Sequence, residues 1–299
     1  MQPFTLRLLI PSTLVVLLLS SCGDTGDDSA DTTLASTTTR AATTTTAPPT
    51  TTVAPVTTTM ADPTEASPES GEEWELVWFS DSTGFGLADL WGASIEEEFG
   101  IDVVVHDFAR GSLQATAVLD WLGDGKSSLP KMKNQVAEAE IIVVYGNPAG
   151  SGATSDERTC VSTSTVSREA PTQNSPEDWA PYKDVLESIY EIIFDLRDGQ
   201  PTIVRAMDMY NPVIADWRVA GIETGCTASW EMMAQTVREA AASHGVPTVS
   251  MYDSFNGADH SEDPREKGYI SADGQHTTDE GKAAMVDVLD AAGYLPIGG

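Results

Sequence analysis

Residues 75–86 read ELVWFSDSTGFG, a run of large apolar side chains that stops at Ser80-Asp81-Ser82 and opens into Gly84 and Gly86. Nearly continuous hydrophobicity suits a strand buried on both faces, because a strand with one wet face would alternate. A helical pattern, Leu87 to Phe99, follows directly. Ser82 therefore sits on a strand-to-helix turn, where it either closes the strand or stands ready as a nucleophile. Ser-x-Gly alone does not decide between the two.

The unit repeats. Four more apolar runs follow: IDVVVH (101–106), EIIVVYG (140–146), TIVRAM (202–207) and PTVSMY (247–252). Helical patterns alternate with them over Leu113 to Leu122, Lys131 to Ala139, Tyr182 to Leu196 and Ser229 to Ser243. In the third of these Val185, Ile189, Ile192 and Leu196 form one inward stripe, and Gly245 ends the last as a C-cap would. Strict alternation predicts a doubly wound, three-layer α/β/α domain with a mainly parallel five-stranded sheet and right-handed crossovers. In such sheets ligands gather at the carboxyl ends of the strands, where strand order reverses. Ser82 lies in the first loop at that end.

Composition narrows the function. The chain of 299 residues carries a formal charge of −30 with a pI near 4.1. That charge repels phosphate backbones, which excludes nucleic acid as a partner and disfavours anionic substrates. Its simplest meaning is solubility, as in a salty habitat. Residues 74–299 suffice for one well-filled core, and a monomer is expected.

The N-terminus carries Arg7, the run LLIPSTLVVLLL (8–19) and then SSCGD, too short an apolar stretch for a membrane span. Leu19-Ser20-Ser21-Cys22 resembles the lipobox of bacterial lipoproteins. This implies a signal peptide over 1–21 and an acylated Cys22; the alternative is a plain secretory signal. From 22 to 73 the chain is rich in Thr, Ala, Pro, Ser and Asp, and lacks the apolar surface to offset its ordering entropy. Such a tether of roughly 50 residues spans about 40 Å as a coil and about 150 Å if stretched. An exported domain anchored to the outer face of the cell membrane by lipid is the expectation. With Cys22 acylated, Cys160 and Cys226 remain in an oxidising compartment, and a disulfide between them is expected, two free thiols being the alternative.

The most informative neighbourhood for chemistry is SADGQHTTDEGKAAMVDVL (271–289). Thr277 and Glu280 fit a capping box, which sets His276 just outside a helix start. Asp273, three residues earlier in a glycine turn, can accept the Nδ1 proton while Nε2 faces the cleft. His244 and His260 read as solvent-exposed, while His106 is either satisfied locally beside Asp107 or borders the site. An ester hydrolase also needs donors for a tetrahedral oxyanion. The loop after the second strand offers Gly111 (FARGS) and that after the third offers Asn147 (YGNPAGSG).

Taken in order, these blocks resemble the SGNH hydrolases, the GDSL esterase and lipase family, across residues 75–292. SDSTGFG matches the nucleophile block through Ser82, RGS the oxyanion glycine through Gly111, YGNP the oxyanion asparagine through Asn147, and DGQH the Asp-x-x-His block through Asp273 and His276. Two positions depart from the pattern. Ser80 stands in place of the family's glycine, and Gly146-Asn147-Pro148 replaces Gly-x-Asn-Asp, so that Tyr145 takes the glycine position. The resemblance implies nucleophilic attack by Ser82, proton transfer through His276, orientation by Asp273 and an oxyanion hole from Ser82, Gly111 and Asn147. No metal or cofactor is implied. It further implies that a Cys160–Cys226 bond braces one wall of the cleft, with Trp179, Tyr210 and Trp230 either lining it or packing in the core or at the surface.

Other motifs fail. GDGKSS (123–128) has the wrong glycine spacing for a phosphate loop and follows a helix. There is no Gly-x-Ser-x-Gly and no His-Glu-x-x-His. The acidic loop 253–263 matches no EF-hand and reads as solvated rather than calcium-binding. Small acyl esters of soluble or polymeric alcohols, O-acetylated carbohydrate among them, are the expected substrates, since no large apolar lid is evident. The rival expectation is a tethered binding lipoprotein, or an inactive relative, on the same scaffold.

Overall fold

The structure, a computed structural model, describes residues 72–148, Cys160 and residues 174–297. The expected leader, Cys22 and nearly all of the tether lie outside the described residues. Five parallel strands form one sheet: β1 (Glu73–Phe79), β2 (Asp102–Asp107), β3 (Ile141–Val144), β4 (Ile203–Met207) and β5 (Thr248–Val249), in the order β2-β1-β3-β4-β5. The first begins at Glu73, one residue inside the stretch assigned to the tether. Eight helices complete the described residues: α1 (Leu87–Phe99), α2 (Ala115–Leu122), α3 (Pro130–Glu138), α4 (Pro176–Arg197), α5 (Ile214–Ala220), α6 (Glu223–Ser243), α7 (Met251–Asn256) and α8 (Asp279–Ala291).

The continuous apolar runs have the reason expected of them. Val77, Phe79, Ile142, Val144, Val204 and Ala206 point into a core shared with α2, α3, α4 and α6. Their neighbours Leu76, Trp78, Ile141, Val143, Ile203 and Met207 point into a second core with α1, α7 and α8. With side chains alternating across the pleat, both alternations must be apolar when both faces are covered. The result is three layers, α/β/α. Strand order reverses between β1 and β3, so the loops after β1, β2 and β3 gather at one switch point.

Two expectations need correction and one alternative is decided. Of the run 247–252 only Thr248–Val249 is strand; Ser250 accepts a hydrogen bond from the Asp253 amide and caps α7, turning the rest helical. Both α5 and the first six residues of α6 lie where no helix was expected. Of the alternatives left for Trp179, Tyr210 and Trp230, packing in the core is the one observed: they are 2, 2 and 5% exposed.

Cys160 and Cys226 are bonded, with Cα atoms 4.9 Å apart and both residues 1% exposed. The bond fixes the chain before α4 to α6, inside the first core. For a separation of 66 residues, the chain-entropy relation gives about 4 kcal/mol. The Cys160→Ser/Cys226→Ser pair is therefore expected to lose 2–4 kcal/mol (about the usual span for native bridges), read from urea unfolding at matched pH.

Candidate active site

The nucleophile loop is built by Asp81. Its backbone is extended, and its carboxylate Oδ1 accepts from the Thr83 amide (2.9 Å) and the Thr83 hydroxyl (2.5 Å), which winds Ser82–Gly84 into a single 3-10 turn. Ser82, half-buried, sits at the start of that turn, and Gly86 then enters α1 at φ +72°. The departure at Ser80 is complemented locally. A Cβ added to Gly84 would lie 2.5 Å from Ser80 Oγ and 2.7 Å from Ser80 Cβ. The room that a glycine at position 80 would leave open is thus left open by Gly84, and the Ser80 side chain fills it.

The histidine turn is built by Asp273. Its Oδ1 accepts from the amides of Gln275 and His276 (2.9 Å each) and from the Ser271 hydroxyl (2.7 Å). The other oxygen, Oδ2, lies 2.7 Å from His276 Nδ1. Gly274, at φ +78°, supplies the left-handed residue that this turn requires. Tyr210 Oη donates to the Gln275 carbonyl at 2.9 Å and supports the turn from the core. The amide bonds from Gln275 and His276, then the imidazole and the Ser271 hydroxyl, hold the Asp273 carboxyl well below the usual carboxylate range.

Helix α8 starts one residue later than expected. Thr277 is held in a backbone bridge with Ile270, so the cap passes to Thr278, whose Oγ1 accepts from Gly281 N at 3.0 Å. The Thr277–Glu280 capping box does not form. His276 is still fixed just ahead of the helix, and its Nε2 lies 2.9 Å from Ser82 Oγ, across 194 residues of sequence. An ionised Asp273 assigns the imidazole proton to Nδ1, which leaves the Nε2 lone pair for the Ser82 hydroxyl.

Strand pairing carries the other two loops to the same place. Phe108 N and Arg110 N donate to Trp78 O and Ser80 O at 2.9 and 3.1 Å, running β2 on beside β1 as far as Arg110, next to Gly111. Tyr145 N donates to Phe79 O at 2.8 Å, and Ala115 N to Asn147 O at 3.0 Å. The loops after β1, β2 and β3 are therefore laced together through backbone. Among the described residues, the amides of Ser82 and Gly111 donate to no protein acceptor. Asn147 Nδ2 donates to Asp81 Oδ2. Asp81 was missed as a functional residue; its carboxylate ties the nucleophile turn to the asparagine of the third loop.

The remaining histidines are more enclosed than their sequence context indicates. His106 is held by Glu75 and by Gln135 rather than by Asp107. His244 stacks on Phe194 and lies tilted against Tyr190. His260 stacks on Tyr252 at 3.7 Å and reaches Glu231 and Asp253 at 2.7 and 2.6 Å. Aromatic faces and carboxylates cover His244 and His260, so neither is the exposed residue expected. In the acidic loop, Asp263 pairs with Arg265, Glu262 with Lys267 and Asp253 with His260. Asp208, at the carboxyl end of β4, is fully enclosed, and burial pushes its carboxyl up to about 6 against the bonds from Tyr252 N, Ser250 and Arg238.

An alanine at position 147 removes one candidate oxyanion donor and the tie to Asp81. Asn147→Ala is expected to lower kcat by about 10²–10³-fold with the fold retained, measured as turnover of p-nitrophenyl acetate beside a circular-dichroism melt.

No family model matches this chain, and no curated protein matches it. Solved structures do. The lipase Lip_vut3 from a goat rumen metagenome has a TM-score of 0.54 at 19% identity, over 74% of this chain and 98% of that one. A GDSL-like lipase from Bacteroides thetaiotaomicron is similar at 14% identity and a TM-score of 0.44, over 73% of this chain and 86% of that one. The psychrotrophic esterase EstA from Pseudoalteromonas sp. gives 11% identity and a TM-score of 0.44, over 73% and 94%. With the strand order and the three converging loops already described, the chain shares a three-layer α/β/α fold with the lipase Lip_vut3.

Proposed function

We propose that this protein is a serine ester hydrolase. One observation carries the reading: Ser82 Oγ, the His276 imidazole and the Asp273 carboxylate lie in line at 2.9 and 2.7 Å, on segments that only the fold brings together. In this mechanism His276 Nε2 takes the Ser82 proton as Oγ attacks the ester carbonyl. Asp273 holds the ring and balances the imidazolium. The developing oxyanion meets the amides of Ser82 and Gly111 and the side chain of Asn147. Collapse expels the alcohol, to which His276 returns the proton; water then repeats the sequence on the acyl-enzyme and frees the acid.

The setting favours small acyl groups. Ser82 is half-buried, and Phe85, three residues on, is the large apolar side chain exposed beside it, at 45%. The alcohol is either a small molecule or part of a polymer such as O-acetylated polysaccharide. We also propose that the domain is held at the outer face of the membrane by lipid on Cys22. Incorporation of a palmitate analogue, lost in Cys22→Ala, tests that anchor.

The chain should hydrolyse p-nitrophenyl acetate and butyrate, and a serine-reactive phosphonate should add to one peptide, the one containing Ser82. Labelling at another residue, or no hydrolysis of either ester or of acetylated polysaccharide, would favour a binding protein on the same scaffold.

A further inference from the structure

Two residues of the site are held from below by the same device. Tyr210, in the loop after β4, donates from Oη to the Gln275 carbonyl at 2.9 Å. Tyr182, near the start of α4, donates from Oη to the Gly146 carbonyl at 2.5 Å. Gln275 immediately precedes His276, and Gly146 immediately precedes Asn147. One phenol therefore fixes the peptide that carries the candidate base, and the other fixes the peptide that carries the candidate oxyanion side chain. Neither tyrosine belongs to the four sequence blocks. Both are enclosed, Tyr210 at 2% and Tyr182 at 0% exposed, so they act through those peptides and not on substrate.

Both rings are fixed in place. Tyr210 stacks on Phe255 with centroids 4.6 Å apart, and Tyr182 packs against Trp179 at 6.1 Å. A Cβ added to Gly146 would meet Leu186 Cδ2 at 3.1 Å and Tyr182 Oη at 3.6 Å, so α4 presses directly on the third loop. Burial, and then the charges of Asp81 and Asp273, push the Tyr210 hydroxyl well above the ordinary tyrosine range. Burial does the same at Tyr182. Both hydroxyls therefore remain protonated donors wherever a histidine base works. The two charges also locate Tyr210: Asp81 belongs to the nucleophile turn and Asp273 to the histidine turn, and this one hydroxyl feels both. A misplacement of about 1 Å in such a site can cost about 10²-fold in rate, so half of that would cost about tenfold.

We propose that Tyr182 and Tyr210 are positioning residues of this site, Tyr210 setting His276 against Ser82 and Tyr182 setting Asn147 at the oxyanion. The inference rests on the ester-hydrolase reading. Its test is a pair of phenylalanine substitutions in the full chain, which keep each ring and remove only the donor. Tyr210→Phe and Tyr182→Phe should each lower kcat for p-nitrophenyl acetate about tenfold, with KM unchanged within about twofold. With Asn147 already alanine, Tyr182→Phe should cost less than about twofold, whereas Tyr210→Phe should keep its full factor. A loss of stability alone would weigh equally on both backgrounds. Tyr190→Phe removes a buried hydroxyl that has no partner among the described residues, and should leave kcat unchanged.

The two roles can also be read without turnover. In Tyr210→Phe the ring resonances of His276 should move and the side-chain amide resonances of Asn147 should stay; in Tyr182→Phe the reverse should hold. A fall in kcat of less than about twofold in either variant removes that tyrosine from the proposal. An equal cost of Tyr182→Phe in both backgrounds overturns it, as do shifts that fail to divide in this way. Should the parent hydrolyse no ester, the hydrolase reading fails by itself, and the divided shifts still decide whether the tyrosines hold these two residues.

Discussion

Ser82→Ala is expected to lower kcat for p-nitrophenyl acetate by at least about 10⁴-fold, with melting temperature and circular dichroism unchanged. The size follows from what the hydroxyl does. Without Oγ there is no covalent path, and only water polarised by His276 beside the oxyanion donors remains, which in serine hydrolases leaves a small residue of the full rate. Stability should hold because Ser82 Oγ makes its hydrogen bond to His276 rather than to the scaffold, and the turn is wound by Asp81 and Thr83. A surface-level change of this kind stays within about 0.5 kcal/mol. A variant retaining more than a tenth of the rate would remove Ser82 from the mechanism.

Asp273→Asn should cost about 10³–10⁴-fold in kcat, close to the usual penalty when the acid of such a triad becomes an amide. An asparagine can keep Oδ1 on the Gln275 and His276 amides, so the turn survives. Its NH₂, however, faces Nδ1 and drives the imidazole proton to Nε2, which then donates toward Ser82 where it should accept. The pH dependence separates this from a folding defect. In the parent the Asp273 carboxyl lies well below the usual range, so it stays ionised throughout the acid limb of activity. A carboxyl with a lowered folded pKa gives stability that is present above its unfolded pKa, about 4, and is lost only as pH falls through the lower folded value. The parent should therefore melt above the variant at neutral pH, and the gap should close as pH falls below about 4 toward the lower folded value. Equal kcat in parent and variant would leave Asp273 as a turn-former only.

Much of the fold was legible because burial on both sheet faces writes itself into sequence as unbroken apolar runs. Leu87–Phe99 was readable to the residue, since Gly86 and Gly100 take positive φ at either end. The fifth run misled because Ser250 inside it can either continue a strand or cap a helix, and its bond to Asp253 N decides for the cap. For α8, Thr277 and Thr278 are equally good caps by composition, and the choice depends on a bridge to Ile270 that no local pattern reveals. Of the blocks ordered along the chain, Ser82 and Asp273–His276 are joined by hydrogen bonds, and Asn147 reaches Asp81 beside the nucleophile. The role of Asp81 was hidden because it adjoins the nucleophile, where an acid reads as part of a motif; its partner Asn147 is 66 residues away.

The exchange between positions 80 and 84 reaches beyond this one turn. What the geometry demands is a single hydrogen-sized vacancy between two backbone stretches, and either residue can provide it. Substitutions at the two sites are therefore not independent: a chain may move its glycine from one to the other, but only through an intermediate with glycine at both, because side chains at both collide. A signature that insists on glycine at the first position alone would pass over molecules that keep the vacancy and have merely changed its owner.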